Sequence, residues 1–260
     1  MNDAQLKDPA LLDAVIRLAR AAGDVIMAVY ATDFVVRDKS DASPVTEADE
    51  QAEAVITQGL RTLAPGVTIV AEEAVAGGDQ PAAGRWFWLV DPLDGTQEFV
   101  QRNGEYTVNI ALVRDGEAVL GVVFAPALGR LFAGVRDQGA FEVDGTVRRA
   151  IRCRAVPSEG LTVVASRSHG DAAALDAFLA DRKVALTAHA GSSLKLCLVA
   201  AGEADLYPRL GRTMEWDIAA GHAVLGAAGG RVETLAGAPL RYGKPGFDNP
   251  HFVASGLASP

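Results

Sequence analysis

The spacing of apolar residues predicts two amphipathic helices near the start of the chain. In the first, apolar side chains recur at alternating intervals of four and three residues, at Leu11, Val15, Leu18, Ala22, Val25 and Val29. That period places them on one face of a helix, and Asp8 followed by Pro9 is typical of a helix N-terminus. A second helix is predicted to begin at Thr46, with an inner face formed by Val55, Ile56, Leu60 and Leu63.

Short apolar runs separated by turn residues predict an antiparallel sheet in the middle of the chain. The apolar sequence after Tyr106 is divided by Asp115-Gly116, and Asp-Gly between two such runs indicates a β-hairpin. Strands are predicted in this region at Thr68–Ala71, 86–90, 107–113, 118–124, Arg130–Val135 and 140–143.

After about residue 155, predicted strands and helices alternate, which is the pattern of an α/β arrangement. The strands are expected at 161–165, 184–188 and Arg231–Thr234, and the helices at 171–180, 193–201 and 217–228. The fold class predicted from the pattern is therefore mixed. An α+β half, with the antiparallel sheet and most candidate metal ligands, spans residues 1–150, and an α/β half spans residues 151–260.

The composition is that of a globular protein and excludes several functional classes. Of 260 residues, 49% are hydrophobic and 22% are charged, unlike a disordered tail, a collagen or a coiled coil. The 33 acidic residues exceed the 24 basic ones and give a net charge of −9, whereas binding to a nucleic-acid polymer needs clustered Lys and Arg. A small anionic substrate is still compatible, because the charge of one pocket can oppose that of the whole protein.

No part of the sequence predicts a membrane span, a secretion signal or a disulfide framework. The longest charge-poor segments are too short to cross a bilayer, and the first residues lack the basic and apolar regions of a signal peptide. Cys153 and Cys197 are far apart and are interpreted as small buried residues. We therefore expect a cytoplasmic protein.

The candidate chemistry begins after the strand predicted at residues 86–90, where the chain has the sequence Asp91-Pro92-Leu93-Asp94-Gly95-Thr96. Pro92 is expected to end that strand, because proline cannot donate to the ladder. Two carboxylates three residues apart in a turn can converge on one point with the Leu93 carbonyl, and such oxygen ligands suit Mg²⁺. Gly95 permits a tight turn that aims N–H groups at an anion. An ordinary Asx turn that caps a helix is the alternative interpretation.

Further acidic residues stand at the ends of predicted elements. Glu72 follows the strand Thr68–Ala71, Asp217 starts a predicted helix, and Asp49 lies three residues after Thr46. Thr46 and Asp49 have the spacing of a capping box, and Asp217 could simply favour the positive end of its helix. Helix capping alone does not readily explain why acidic residues stand at the ends of several predicted strands and helices in a chain that also has a D-x-x-D-G turn. We therefore expect a carboxylate cage for more than one metal ion.

No competing catalytic motif is present, since the sequence has no G-x-S-x-G, H-E-x-x-H, P-loop or G-x-G-x-x-G pattern. The motifs at 91–96, Ala71-Glu72-Glu73 and Trp216-Asp217 instead resemble the inositol monophosphatase superfamily of magnesium-dependent, lithium-sensitive phosphatases. Within it, the segments 166–169, 191–195 and 205–209 resemble the CysQ type of 3′(2′),5′-bisphosphate nucleotidase. The resemblance implies a layered α-β-α-β-α sandwich of the inositol monophosphatase and sugar phosphatase type.

The resemblance also implies roles for individual residues. The metal ligands implied are Glu72, Asp91, the Leu93 carbonyl, Asp94, Asp217 and, for a further ion or its water, Asp49, with Lys39 shaping that edge and two or three Mg²⁺ ions bound per site. The catalytic group would be Thr96, paired with Asp49 or Glu72, which orients and deprotonates the attacking water. The substrate-binding residues implied are Gly95 and Thr96 for the scissile phosphate, and His169, Ser192, Lys195, Tyr207 and Arg209 for the second phosphate and the nucleotide.

The implied activity is Mg²⁺-dependent removal of the 3′-phosphate from 3′-phosphoadenosine 5′-phosphate, which gives AMP and phosphate and recycles a by-product of sulfate assimilation. An inositol-phosphate or fructose-1,6-bisphosphate phosphatase is the alternative, since Ser192, Lys195 and Arg209 could hold a sugar phosphate. A non-catalytic nucleotide sensor would have lost a metal ligand or Thr96, and neither is lost. The partner implied is a small anionic nucleotide, and the resemblance leaves both a monomer and a homodimer open.

Overall fold

The computed structural model of the chain describes residues 1–38, 44–167 and 171–257, so Lys39 and His169 lie outside the described residues. The helices are α1 (Asp3–Leu6), α2 (Pro9–Tyr30), α3 (Glu47–Leu63), α4 (Glu72–Ala76), α5 (Thr96–Val100), α6 (Ala172–Leu179), α7 (Leu194–Ala200) and α8 (Glu215–Ala227), with a 3₁₀ turn at Pro245–Phe247. The strands are β1 (Val36–Asp38), β2 (Pro44–Thr46), β3 (Thr68–Ala71), β4 (Trp86–Asp94), β5 (Thr107–Arg114), β6 (Glu117–Ala125), β7 (Arg130–Val135), β8 (Gly139–Asp144), β9 (Val147–Ile151), β10 (Leu161–Ser166), β11 (Val184–Ala190), β12 (Leu206–Arg209), β13 (Arg231–Thr234) and β14 (Phe252–Ser255).

A seven-stranded sheet separates two apolar cores. Its strands lie in the order β3-β4-β5-β6-β7-β8-β9, parallel between β3 and β4 and antiparallel elsewhere. Because successive side chains of a strand point to opposite faces, neighbours in β5 enter different cores. Ile110 packs with α2 and α3 on one face, and Ala111 packs with α7 and α8 on the other.

The second sheet lies beyond α7 and α8, which gives a layered arrangement. Its strand order is β11-β10-β12-β14-β13. Helix α8 packs across β4 to β8, and α7 packs on β10, β12 and β14. Gly121 of β6 allows α8 to approach closely, because a Cβ at this position would lie 2.2 Å from the Ala220 carbonyl oxygen. Helix α6 connects the parallel strands β10 and β11 along the chain, and one of its faces is half-buried.

The mixed α/β fold class expected from the resemblance is confirmed, with one local correction. The prediction that Pro92 ends its strand is wrong, because β4 continues to Asp94. Pairing with β5 is irregular between Asp91 and Asp94, and resumes where Asp94 faces Thr107. Such an irregularity tolerates a residue that cannot donate to the ladder.

The predicted division at residue 150 stays a prediction. The seven-stranded sheet ends at Ile151 and the five-stranded sheet begins at Leu161, yet α8 from the later part of the chain packs on the earlier sheet. Within the described ranges, no helix combines the length and the apolar character that crossing a bilayer requires.

Candidate active site

Three acidic side chains meet at the carboxyl end of the parallel pair β3–β4. Ala71 is paired in register with Val90, so Glu72, which begins α4, and Asp91, which lies within β4, are side by side. Asp217, in the first turn of α8, joins them, and one carboxylate oxygen from each lies within 4.8 Å of the others. Carboxylates this close repel one another unless a proton or a cation lies between them. The oxygen-only donor set fits a hard divalent cation.

The turn after Asp91 aims further groups at the same cleft. Asp91 Oδ1 accepts the Leu93 N–H at 3.0 Å, so an Asx turn forms and brings Asp94 to the edge of the cluster. It does not cap a helix, because α5 follows Gly95 without a side-chain cap. Asp94 Oδ2 accepts the Ser193 N–H at 2.6 Å and the Asn109 side chain at 3.2 Å. Gly95 has a φ of 89°, a left-handed conformation that favours glycine. The turn therefore fixes the local backbone and also directs its polar groups towards the cleft.

Asp49 caps a helix and also contacts Thr96. Its Oδ2 accepts the Thr46 N–H at 2.8 Å and the Thr46 hydroxyl at 2.7 Å, which makes the predicted capping box real. Its Oδ1 lies 3.2 Å from Thr96 Oγ1, and that hydroxyl is also 3.2 Å from the Leu93 carbonyl oxygen. Asp49 and Glu72 are the two carboxylates predicted to pair with Thr96. The geometry shows a hydrogen bond between the Thr96 hydroxyl and Asp49.

A buried ammonium group stands beside these carboxylates. Lys195 is 4% exposed, and its Nζ donates to the carbonyl oxygens of Ala190 at 3.1 Å and Ser192 at 2.6 Å. The same Nζ lies 5.4 Å from the centre of the Tyr207 ring, within range of a cation–π contact. Ser192 has a φ of 47°, which is strained for a residue other than glycine. Backbone strain of this kind often accompanies a binding site.

A cleft of about 480 Å³ joins these groups. The predicted site residues that line it are Glu72, Asp91, Leu93, Asp94, Gly95, Thr96, Ser192, Lys195, Tyr207, Arg209 and Asp217. Asp49 lies behind the lining and reaches the cleft through Thr96. The cleft therefore collects the predicted residues except Asp49 and the undescribed Lys39 and His169, while their individual roles stay predictions.

A buried polar network behind Asp94 was not predicted from the sequence. Ser193 Oγ donates to Asn109 Oδ1 at 2.6 Å and lies 3.0 Å from Thr107 Oγ1. All three residues are buried. Asn109 interrupts the apolar run of β5, which was a usable signal, because a buried polar side chain needs a partner. Arg212 and Thr213 also line the cleft, and no local pattern marked them.

Burial and mutual repulsion make these carboxyls hard to ionise in the absence of a metal. Burial, with the charges of Glu72, Asp94 and Asp217, raises the pKa of Asp91 well above its usual value. Asp217 has a raised pKa for the same kinds of reason. Burial also raises the pKa of Asp94 to about 6, although the positive charge of Lys195 opposes this. Burial lowers the pKa of Lys195 to about 8.

We expect the stabilising effect of Mg²⁺ to grow as pH rises. Carboxyls whose folded pKa is raised add stability below their ordinary pKa, near 3.8, and lose it as pH rises through about 6 for Asp94. Mg²⁺ needs the ionised form and removes this loss. The melting temperatures with Mg²⁺ and with a chelator should therefore diverge between about pH 5 and pH 7.5, by roughly 5–10 °C at about 100 times the dissociation constant.

The difference between the melting temperatures with Mg²⁺ and with a chelator, taken at the same pH, removes effects of pH that do not depend on the metal. Burial lowers the pKa of His222 to about 4, so this residue destabilises the fold as pH falls from its ordinary value of 6.5. That contribution is the same with and without Mg²⁺ and cancels in the difference. A difference in melting temperature that stays constant or shrinks as pH rises would contradict the carboxylate cluster as the metal site.

The fold and the acidic cleft define the class of protein, and the comparisons agree. The chain belongs to the inositol monophosphatase family, whose family model matches residues 8–257. It is 47% identical to the 3′(2′),5′-bisphosphate nucleotidase CysQ of Escherichia coli strain K12 over 248 residues, which covers 94% of this chain and 99% of that protein.

Two solved structures show the same fold. The crystal structure of CysQ from Bacteroides thetaiotaomicron has a TM-score of 0.81 and 36% identity, covering 96% of this chain and 98% of that one. An inositol monophosphatase from Anabaena has a TM-score of 0.73 and 26% identity, covering 95% of this chain and 90% of that one. The resemblance seen in the sequence motifs therefore extends along almost the whole chain.

Proposed function

We propose that this chain is a Mg²⁺-dependent 3′(2′),5′-bisphosphate nucleotidase that hydrolyses 3′-phosphoadenosine 5′-phosphate to AMP and phosphate, a step that serves sulfate assimilation. The observation that carries the proposal is one cleft that holds both the carboxylates Glu72, Asp91 and Asp217 and the cations Lys195 and Arg209. The carboxylates are suitable ligands for the metal, and the cationic side chains can bind a second phosphate of the substrate. The 47% identity to a nucleotidase of this type supports the same substrate class.

The carboxylates suit the difficulty of the reaction. Phosphate-monoester hydrolysis is among the slowest uncatalysed reactions, because water is a poor nucleophile and the substrate is an anion. Mg²⁺ held by Glu72, Asp91, Asp94, Asp217 and the Leu93 carbonyl would neutralise phosphate oxygens and lower the pKa of a bound water. We propose two or three such ions per site. The backbone amides of Gly95 and Thr96 would receive the scissile phosphate.

Thr96 and Asp49 would manage the proton of the attacking water. The Thr96 hydroxyl donates towards Asp49 Oδ1, so its oxygen can accept a proton from a water in the cleft while its own proton moves towards the carboxylate. Asp49 is held in place by its other oxygen, which accepts two hydrogen bonds from Thr46. The water is thus oriented by a residue that is itself fixed to the start of α3.

Lys195 favours a substrate with two phosphates. Its ammonium group has three N–H donors, and the carbonyls of Ala190 and Ser192 take two of them. The third suits a substrate anion, together with Ser192, Tyr207 and Arg209 in the same cleft. A hydrogen bond to a charged group contributes about 1.5–3 kcal/mol, or roughly 10–100-fold. An inositol monophosphate would not gain this contribution.

A phosphate-release assay tests the proposal. We expect kcat/KM with Mg²⁺ to be at least about 10-fold higher for 3′-phosphoadenosine 5′-phosphate than for inositol 1-phosphate, which has no second phosphate. It should also exceed that for fructose 1,6-bisphosphate, because the relative with 47% identity is a nucleotidase. AMP, which has only the 5′-phosphate, serves as the matched control and should not be hydrolysed. A kcat/KM that is higher for inositol 1-phosphate would overturn the proposal in favour of the inositol-phosphate alternative.

Location and assembly are part of the same proposal. We propose that the enzyme acts in the cytoplasm, the location predicted from the sequence. A homodimer stays a prediction beside the monomer, and light scattering of the purified protein distinguishes them.

A further inference from the structure

Helix α4 carries the candidate ligand Glu72, and its first turn is too short to fix its own orientation. It is five residues long and begins directly at Glu72. Ala71, the residue before it, makes no capping hydrogen bond with its side chain. The first amides of a helix have no partner within the helix, and a single turn is too short to be stable alone. Another part of the protein must therefore set the orientation of Glu72.

Glu53 of α3 supplies the missing acceptors. Its Oε2 accepts the Glu73 N–H at 2.7 Å, and its Oε1 accepts the Ala74 N–H at 2.9 Å. Glu53 is 8% exposed and lies 20 residues before Glu73 in the chain. Because each oxygen binds a different amide, the carboxylate fixes both the place and the rotation of the first turn. Hydrogen bonds from amides to an ionised acceptor are shorter and stronger than neutral ones.

We infer that Glu53 is a positioning residue, which holds the first turn of α4 so that the Glu72 carboxylate stays beside Asp91 and Asp217. The inference rests on the proposed function, because it concerns the same metal site. Glu53 touches neither the substrate nor the reacting atoms in this assignment. It acts through the backbone that follows Glu72, and its effect is on metal affinity.

Glu53→Gln tests the inference with a small change of shape. Gln keeps one acceptor oxygen and places an NH₂ group against the second amide, so one hydrogen bond is replaced by a repulsive donor–donor contact. We expect the Mg²⁺ dissociation constant, measured by calorimetric titration of the metal-free protein, to rise about 10–100-fold. At saturating Mg²⁺, KM for the bisphosphate nucleotide should stay within about twofold. Hydrogen exchange at Glu73 and Ala74 should accelerate in the metal-free variant.

Glu142→Gln is the matched control. Glu142 is another buried glutamate, and it pairs with Arg130 and Arg149 on the far edge of the seven-stranded sheet. The control should lose stability and keep the parent's Mg²⁺ dissociation constant. Glu53→Asp retains both oxygens on a shorter stem, so its Mg²⁺ affinity should lie between those of the parent and Glu53→Gln.

Three results would overturn the inference in distinguishable ways. If the parent binds Mg²⁺ and Glu53→Gln binds it equally tightly, the positioning role is wrong and the proposed function stands. If the Gln variant fails to fold, Glu53→Asp takes its place in this comparison. If the parent itself binds no Mg²⁺, the proposed function fails and the inference fails with it. Equal weakening in Glu142→Gln would show a general effect of lost stability and would also reject the role.

Discussion

Asp94→Asn should lower kcat/KM for the bisphosphate nucleotide by roughly 10³-fold. A metal ion contributes several kcal/mol of charge stabilisation to the transition state, and losing about 4 kcal/mol corresponds to that factor. The expected cause is that Asn keeps the shape of Asp but supplies one neutral oxygen in place of a carboxylate. Phosphate release at saturating Mg²⁺ measures the effect, and calorimetry measures the accompanying loss of Mg²⁺ affinity.

The fold should survive this substitution. Asp94 belongs to a group of close, partly buried carboxylates, and burial and the charge of Glu72 raise its pKa even though Lys195 opposes them. Asn removes one of the repelling charges and can still accept the Ser193 N–H through its remaining oxygen. We therefore expect the melting temperature of the metal-free variant to equal or exceed that of the metal-free parent.

Asp137→Asn provides the same chemical change away from the cleft. Asp137 is exposed in the turn between β7 and β8 and has a φ of 64°, a conformation that Asn tolerates. Its activity and Mg²⁺ affinity should match those of the parent. If Asp94→Asn turned over the nucleotide within a few-fold of the parent, Asp94 would not be a ligand of the catalytic metal.

Thr96→Val should lower kcat by about 10²- to 10⁴-fold, the range expected when a group that moves a proton is lost. Valine has the size of threonine but has no hydroxyl to orient a water or to donate to Asp49. The Mg²⁺ dissociation constant should stay within a few-fold, because the proposed ligands are unchanged. Single-turnover phosphate release and calorimetry separate these two effects.

Thr96→Ser is the matched control, since it restores the hydroxyl without the methyl group. Its kcat should lie within about 10-fold of the parent if the hydroxyl carries the effect. Asp49→Asn should parallel Thr96→Val, because Asp49 Oδ1 accepts the hydrogen bond of that hydroxyl at 3.2 Å. A Val variant with the parent's kcat would remove Thr96 from the proton path and leave Glu72 or the metal alone to activate the water.

Much of the local structure could be predicted, because periodicity and turn chemistry act over a few residues. The bounds of β3 and β13 agree with the expectation, and α2 begins at Pro9 after the cap at Asp8. The strands β12 and β14 have the same length as β3 and β13 but were not predicted, because a pattern of apolar residues over only four positions is an unreliable signal. Pro92 misled the prediction of β4, since the irregular pairing that accommodates it depends on β5, another part of the chain.

The residues of the candidate site also differ in whether the sequence could predict them. Glu72, Asp91, Asp94 and Asp217 were identified from their positions at strand and helix ends and from the motif at 91–96, which also carried the family resemblance. Ser193 was not identified, although its amide lies 2.6 Å from Asp94 Oδ2, because 99 residues separate the two in the chain. No local spacing contains such a pair.

The sequence by itself determined the family, the principal helices and strands, and the acidic and basic residues of the site, because these depend on local order and on residue type. Only the tertiary structure decided which groups act together. It paired Thr96 with Asp49 and bound the first turn of α4 to Glu53. The physical reason is that hydrogen bonds between distant residues depend on strand register and helix packing, which are settled when the whole chain folds.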